Sequence, residues 1–377
     1  MTASVTRVLS ATGRVHFYRP AIETYFAGMY AAFGCSARAL HVASVLVHLA
    51  NVGLVMILAP AIVNRWSFAA LAALLFASQP ALAEAVLWPS AMTTLLCATF
   101  GLTMVNLDVR RSRGHGSAIW IALALAGALA CHESAVMFVP ASLVLRLGLG
   151  ERKPIASWIR EYLPCFVLLA LYLPLITWIN LRNYVVTGGH YAIGPHIGQN
   201  FLDYLVALYA GQRRIADYIF VSAVWIALLW KGSPLVGSLS LWIILALLPA
   251  LPFAWGTASR YVYLPTIPFC LLVALGLLWL HDTLTRKLPH RQPIAIAVGV
   301  VLMLLIVGRS ASFARKGADA FHAAAEPYRA AAAQIARNAS NGTVHIDPSA
   351  VSWMPPVYVT PLARTAVCDP GLVVETR

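Results

Sequence analysis

The chain has 377 residues, 60% of them hydrophobic and only 11% charged, with a mean hydropathy of +0.75. A water-soluble domain carries roughly 25% charged residues, so this composition excludes a soluble globule and points to an integral membrane protein. The excess of 27 Lys and Arg over 14 Asp and Glu, net +13, reads as basic loops facing anionic lipid rather than as a nucleic-acid surface.

In chain order, the opening MTASVTRVLSATGRVHFYRP has no apolar h-region and is not a signal peptide. Residues 1–39 read as an extracytoplasmic N-terminal segment with an amphipathic helix. Spanning helices are expected at 40–62, 66–79, 92–109, 117–131, 134–148, 161–181, 217–230, 235–252, 262–280 and 294–309, which makes 40–309 a polytopic domain. Several runs fall short of the roughly 20 residues of a full span, so 66–79 with 92–109 and 117–131 with 134–148 are expected to be tilted or interrupted. An apolar piece at 201–210 is too short to span and reads as interfacial or re-entrant. Residues 310–377 read as a small extracytoplasmic α/β region: an Ala-rich helix, a turn near Glu326-Pro327 and a strand at 343–347. Asn338-Ala-Ser and Asn341-Gly-Thr match glycosylation sequons, a pattern common by chance. The fold class is all-α with about ten transmembrane helices.

The basic residues set the orientation. One set of loops holds Arg65, Arg110, Arg111, Arg113, Arg146, Arg152, Lys153, Arg160, Lys231, Arg286, Lys287 and Arg291; the alternate loops hold only Arg182, Arg213, Arg214 and Arg260. The first set is expected to be cytoplasmic, in an inner membrane. That leaves 80–91, 132–133, 182–216, 254–261 and both termini outside. An even number of spans with an outside N-terminus implies either that the opening segment is translocated unaided or that one more helix precedes it.

The six cysteines, Cys35, Cys97, Cys131, Cys165, Cys270 and Cys368, are scattered and form no CxxC pair. They read as small apolar residues, with no disulfide framework and no zinc site. Polar groups at membrane depth are costly and tend to mark function. Under this topology Glu84, Trp88, His132, Glu133, Asp203, Asp217 and Arg260 gather at the outer face, joined by Glu23. Asp108, Glu151, Glu161 and Asp282 lie on the inner side. The outer acids serve either catalysis or simple hydration among headgroups.

The succession YRPAIETYFAG at 18, LHVASVLVHLAN at 40, LFASQPALAEAVLW at 75, CHES at 131 and SRYVYLP at 259 resembles the polytopic glycosyltransferases of the GT-C class. The nearest group is the protein-O-mannosyltransferase-like enzymes that carry tetratricopeptide repeats, with their bacterial relatives. The matching positions are Tyr18, Arg19 and Pro20; His48 and Asn51; Pro80, Glu84, Ala85, Val86 and Trp88; Glu133 and Ser134; Arg260, Tyr261, Tyr263, Leu264 and Pro265. The likeness covers about 18–280. Gln79, Leu82, Met92 and His132 depart from the family pattern, and no 34-residue repeat follows position 310. Family members have a further helix and an acidic outer loop ahead of the YRP motif, so the chain is expected to be a frame that lacks both.

The resemblance implies transfer of a sugar from a polyprenyl-phosphate donor at the outer face. Such chemistry needs a general base for the acceptor hydroxyl and cations for the phosphate. Arg260 is the first candidate for the phosphate, because guanidinium matches phosphate oxygens in a bidentate manner; Arg213, Arg214 and Arg19 follow, with Tyr261 and Tyr263 beside it. Glu84 either orients the acceptor or pairs with an arginine. His132 and Glu133 form either an acid–base or metal pair or a hydrogen-bonded joint, and Glu23 is a weak substitute base. Trp88 is an interfacial anchor or a sugar platform. No cofactor is certain, a divalent metal is possible, and no metal-ligand cluster is evident. The expected partners are the lipid-linked sugar, membrane lipids and an unidentified protein or glycolipid acceptor. The competing readings are a non-catalytic scaffold and a lipid-linked sugar flippase.

Overall fold

The structure, a computed structural model, describes residues 17–209, 212–287, 292–338, 343–346, 362–364, 366–368 and 373–376. The opening segment 1–16, Arg291 and the sequon residues 339–342 lie outside the described residues. Among the described residues fourteen α-helices follow one another: α1 (Pro20–Phe33), α2 (Ala37–Ile62), α3 (Trp66–Ser78), α4 (Ala83–Leu87), α5 (Met92–Ser112), α6 (Ala118–Cys131), α7 (Phe138–Gly148), α8 (Ile155–Asn180), α9 (Tyr184–Thr187), α10 (His196–Leu208), α11 (Ile215–Lys231), α12 (Pro234–Leu247), α13 (Tyr263–Lys287) and α14 (Gln292–Asn338). Two short strands, β1 (Thr343–Ile346) and β2 (Val373–Thr376), pair in parallel with Thr343 opposite Val373.

Helix starts are written in local chemistry. Ser36 accepts the Ala39 N–H at 3.2 Å and opens α2, and Ser233 does the same for Val236 before Pro234 at the head of α12. A hydroxyl at the N-cap satisfies an amide with no partner in the first turn. At the other end of α3, Gln79 is extended because Pro80 follows it. The chain turns by 49° there, and the short α4 follows after a single turn of 3₁₀ helix.

Every apolar run expected to span is helical, but not every one is long enough. Among the described residues, four helices are long and apolar enough to cross a membrane, and a fifth is added if the bent pair Trp66–Ser78 and Pro80–Leu87 counts as one span. With 14, 11 and 14 residues, α6, α7 and α12 fall short of the roughly 20 required. The chain is therefore a membrane protein of the all-α class, with four or five such spans among the described residues. The expected break near Glu326-Pro327 does not occur. Residues 292–338 form one helix of 47 residues with Pro327 inside it, about 70 Å long at 1.5 Å per residue.

Contacts join helix ends and loops at two poles, one at each end of α2. At one pole Arg65 pairs with Asp282 at 2.7 Å, and Arg113 donates to the Ala61 carbonyl. The same pole holds a fully buried guanidinium, Arg146, on α7. It donates to Asp108 (3.1 Å), Glu151 (2.6 and 2.7 Å) and Glu161 (2.7 Å), and lies 4.6 Å over the Trp158 ring. Asp108 also accepts from Ser142 at 2.6 Å and from the Tyr162 hydroxyl. A buried cation is tolerable only when it is paired and hydrogen-bonded, and here three carboxylates from three segments take four of its five N–H donors. Nearby, the Phe138 ring fills the space where Gly101 has no side chain, so α5 and α7 meet closely.

The opposite pole carries the loops 79–91, 132–137, 181–195 and 251–262. Cys35, just ahead of α2, is disulfide-bonded there to Cys368 in the C-terminal region, across 333 positions. This corrects the reading of all six cysteines as apolar filling: the other four are free and buried, but these two form a tether. The tail has a small core of Ile335, Val344, Ile346 and Ala363, and α14 packs against the Pro80–Leu87 turn.

Candidate functional site

Five segments close around one cavity of about 430 Å³ at this second pole, within the roughly 300–1,000 Å³ usual for small-molecule sites. Phe17 and Arg19 enter ahead of α1, Trp88, Ser90 and Ala91 come from the turn between α4 and α5, and Thr93 and Thr94 from the start of α5. His132 comes from the α6–α7 break, Val185 and His190 from the loop after α8, and Phe253, Trp255, Arg260 and Tyr261 from the loop before α13. Among the described residues Arg19 and Arg260 are the charged groups of this lining, and none of them adds a carboxylate to it.

Arg260 sits on a 3₁₀ turn, Ser259–Val262, that leads into α13. Its Nη1 donates to Glu84 Oε1 at 2.6 Å, while its backbone N–H donates to the other oxygen, Oε2, at 3.1 Å. One carboxylate thus fixes both the loop and the side chain. The guanidinium lies 4.8 Å from the Trp88 ring and 4.7 Å from the Tyr261 ring. Tyr261 stacks on Phe253 (5.0 Å, 16°), and Phe253 stacks on Trp255 (4.7 Å, 15°). Cation–π contacts contribute about 0.5–2 kcal/mol each, more as water is excluded. Their geometric effect matters more here, because ring contacts orient the guanidinium plane and leave its edges for in-plane hydrogen bonds.

Arg19 makes a closed pair with Glu133: Nη2 reaches Oε1 and Oε2 at 2.8 and 3.0 Å, and Nε reaches Oε2 at 3.2 Å. The Arg19 carbonyl also accepts the Ile22 and Glu23 amides, which starts α1 behind it. Burial acts to raise the Glu133 carboxyl, but the His132 ring and the Arg19 guanidinium beside it hold it down at about 2. His132 is buried and pushed down to about 4, so it is neutral near pH 7. Its Nδ1 accepts the Ser134 N–H at 3.1 Å, which assigns the ring proton to Nε2. His132 is therefore a hydrogen-bond donor to the cavity, not a base.

The other sequence candidates fall outside the lining. Tyr263 is fully buried in the bundle, where its hydroxyl meets His48 Nδ1 at 2.8 Å and accepts from Asn51 Nδ2 at 3.1 Å. Asn51 also donates to the Leu95 carbonyl and accepts from Thr99. Tyr263 is thus a strut between α2, α5 and α13, a correction that follows from its place as the first residue of a helix turned inward. Arg213 (φ +58°) donates to Thr257 at 2.5 Å and lies 3.6 Å from Asp203, outside the lining. Arg214 opens α11 through a backbone bond to Asp217 with its side chain exposed, and Glu23 is exposed on α1. Sequence reading missed Phe253, Trp255, His190, Thr93 and Thr94. The aromatic density of LPFAW just ahead of SRYVY was the available signal.

Among the described residues, no three His, Cys, Asp or Glu side chains come together in a way that holds a metal ion. No family model matches the chain, and no curated protein or solved structure matches it either.

Proposed function

We propose that the chain is a GT-C-type glycosyltransferase, crossing the inner membrane with about ten helices, the shorter ones tilted or broken. It moves a sugar from a polyprenyl-phosphate donor to a protein or glycolipid acceptor at the outer face. The Cys35–Cys368 bond lies at the cavity pole and favours an oxidising compartment for it, and the lysine- and arginine-rich loops gather at the other pole.

The observation that carries this reading is Arg260: a guanidinium oriented by Trp88 and Tyr261, lining a cavity to which the described residues bring cations and hydroxyls but no carboxylate. Such a lining suits a phosphate bearing a neutral sugar. Trp255, Thr93, Thr94, His132 and His190 supply ring faces and hydrogen-bonding groups for hydroxyls. Two carboxylates stand behind the cavity wall. Glu133 is held too acidic to take a proton, so the base is assigned to Glu84.

In membranes given a labelled polyprenyl-phosphate sugar, Arg260→Ala is expected to abolish label transfer while the variant inserts at the wild-type level. Full retained transfer removes Arg260 from the site. A second reading, a non-catalytic scaffold, is favoured by the engagement of both nearby carboxylates in ion pairs. It predicts that wild-type protein binds the donor and transfers no label to any fraction.

A further inference from the structure

The two arginines of the cavity hold their carboxylates differently. Arg19 commits Nε and Nη2 to Glu133 in three contacts of 2.8–3.2 Å. Arg260 commits only Nη1 to Glu84, and among the described residues its Nη2 has no nearer partner than the Tyr261 hydroxyl at 3.5 Å. Glu84 is also anchored independently of the guanidinium, through Oε2 to the Arg260 amide. Neither partner is sealed: their side chains are 24% and 26% exposed. An anion entering the cavity meets the free guanidinium edge, and it competes with Glu84 Oε1 for the same cation.

We propose that the Glu84–Arg260 pair is a substrate-exchanged latch, in which a lipid-linked phosphate takes Arg260 from Glu84 and so frees Glu84 Oε1 as a proton acceptor. This rests on the reading that Arg260 binds the donor phosphate. The physical basis is local. Once the guanidinium turns to the phosphate, Oε1 has a free lone pair, and the backbone bond to Oε2 keeps the carboxylate in place. The chemistry then balances. The acceptor hydroxyl gives its proton to Glu84, and its oxygen bonds the anomeric carbon. The bond from that carbon to the phosphate oxygen breaks, and its electron pair stays on the phosphate, which remains on Arg260 as the polyprenyl monoester. Glu84 thus serves as cap and counter-ion before the donor binds, and as base only afterwards, which avoids a free buried charge in the empty site.

The test is a binding titration of the full chain in detergent with polyprenyl monophosphate, at mildly alkaline pH where the phosphate is doubly charged. It is read by quenching of tryptophan fluorescence, since Trp88 and Trp255 line the cavity. Wild type binds, and Arg260→Ala loses binding. Without wild-type binding, or with Arg260→Ala unaffected, the donor-site reading itself fails. Glu84→Gln removes the competing charge and keeps an oxygen for the Arg260 amide, so it is expected to bind at least about fivefold tighter, while Glu84→Asp stays near wild type. If Glu84→Gln binds equally or more weakly, or if Glu84→Asp tightens as much, the exchange is overturned although the donor-site reading stands. Inorganic phosphate and phosphatidylglycerol are run as separate arms. Either one binding as tightly as the polyprenyl compound overturns the assignment to a polyprenyl phosphate.

Discussion

Tyr263 places its hydroxyl 2.8 Å from His48 and 3.1 Å from Asn51, so the LVHLAN stretch of α2 and the RYVYLP stretch of α13 meet in the middle of the bundle. The residues either side of this contact have different tasks, since Arg260 and Tyr261 face the cavity while Tyr263 faces the core. Tyr263→Phe therefore leaves a buried amide and imidazole short of a partner, at a cost of about 1–3 kcal/mol. Thermal unfolding in detergent is expected to show that loss, with polyprenyl phosphate binding at the remaining folded protein unchanged. A selective loss of binding with normal stability would return Tyr263 to the site.

Arg146 is the most deeply committed charge in the chain, wholly buried among Asp108, Glu151 and Glu161. Arg146→Ala leaves the buried Asp108 without a cation, while Lys153 still holds Glu151 and Glu161, and is expected to cost roughly 3–5 kcal/mol, seen as low yield of folded protein and a reduced melting temperature. Exposed Arg182→Ala, at the other pole, serves as the near-neutral control.

Acid is expected to weaken the fold in two stages at the α6–α7 break. His132 is pushed from 6.5 down to about 4 by burial, so from pH 6.5 towards 4 the unfolded chain takes up a proton that the folded chain refuses. Stability therefore falls on acidification across that window, by roughly 1–3 kcal/mol. Glu133, held at about 2 against an ordinary 4.5, contributes stability that is present above pH 4.5 and lost as the pH drops towards 2. His132→Gln should flatten the first stage of a melting-temperature profile and shrink the second, because the His132 ring also helps to hold the Glu133 carboxyl down while Arg19 remains. An unchanged profile would mean that His132 is not buried as a neutral ring.

Cys35 and Cys368 hold the C-terminal region to the pole that carries the cavity. In protein made under oxidising conditions both thiols should resist alkylation until a reductant is added. Reduction should also hasten proteolysis of the region after residue 338. Free reactive thiols in unreduced protein would contradict the tether.

How far the residues themselves announced this arrangement differs by feature. The helices were legible because apolar runs are interrupted by proline, glycine and charge, as at Gln79-Pro80, and the meeting of Glu84 with Arg260 followed from both lying in loops on one side. Span length was less so, because α6 and α7 together read as two crossings although each is short of one. Pro327 reads as a stop, yet only one amide is lost there and the helix continues. The pairing of Cys35 with Cys368 has no local signature at a separation of 333. The ring stack of Trp255, Phe253 and Tyr261 comes from a loop, where no periodicity marks which side chains face inward.

The most direct measurement is an electron cryomicroscopy structure of the full chain in lipid nanodiscs with a polyprenyl-phosphate sugar bound. The account predicts phosphate density at hydrogen-bond distance, about 2.7–3.0 Å, from the Arg260 guanidinium, with the sugar towards Thr93 and His132 and Glu84 Oε1 released. Donor density lodged elsewhere, with the Glu84–Arg260 pair still closed, would contradict it.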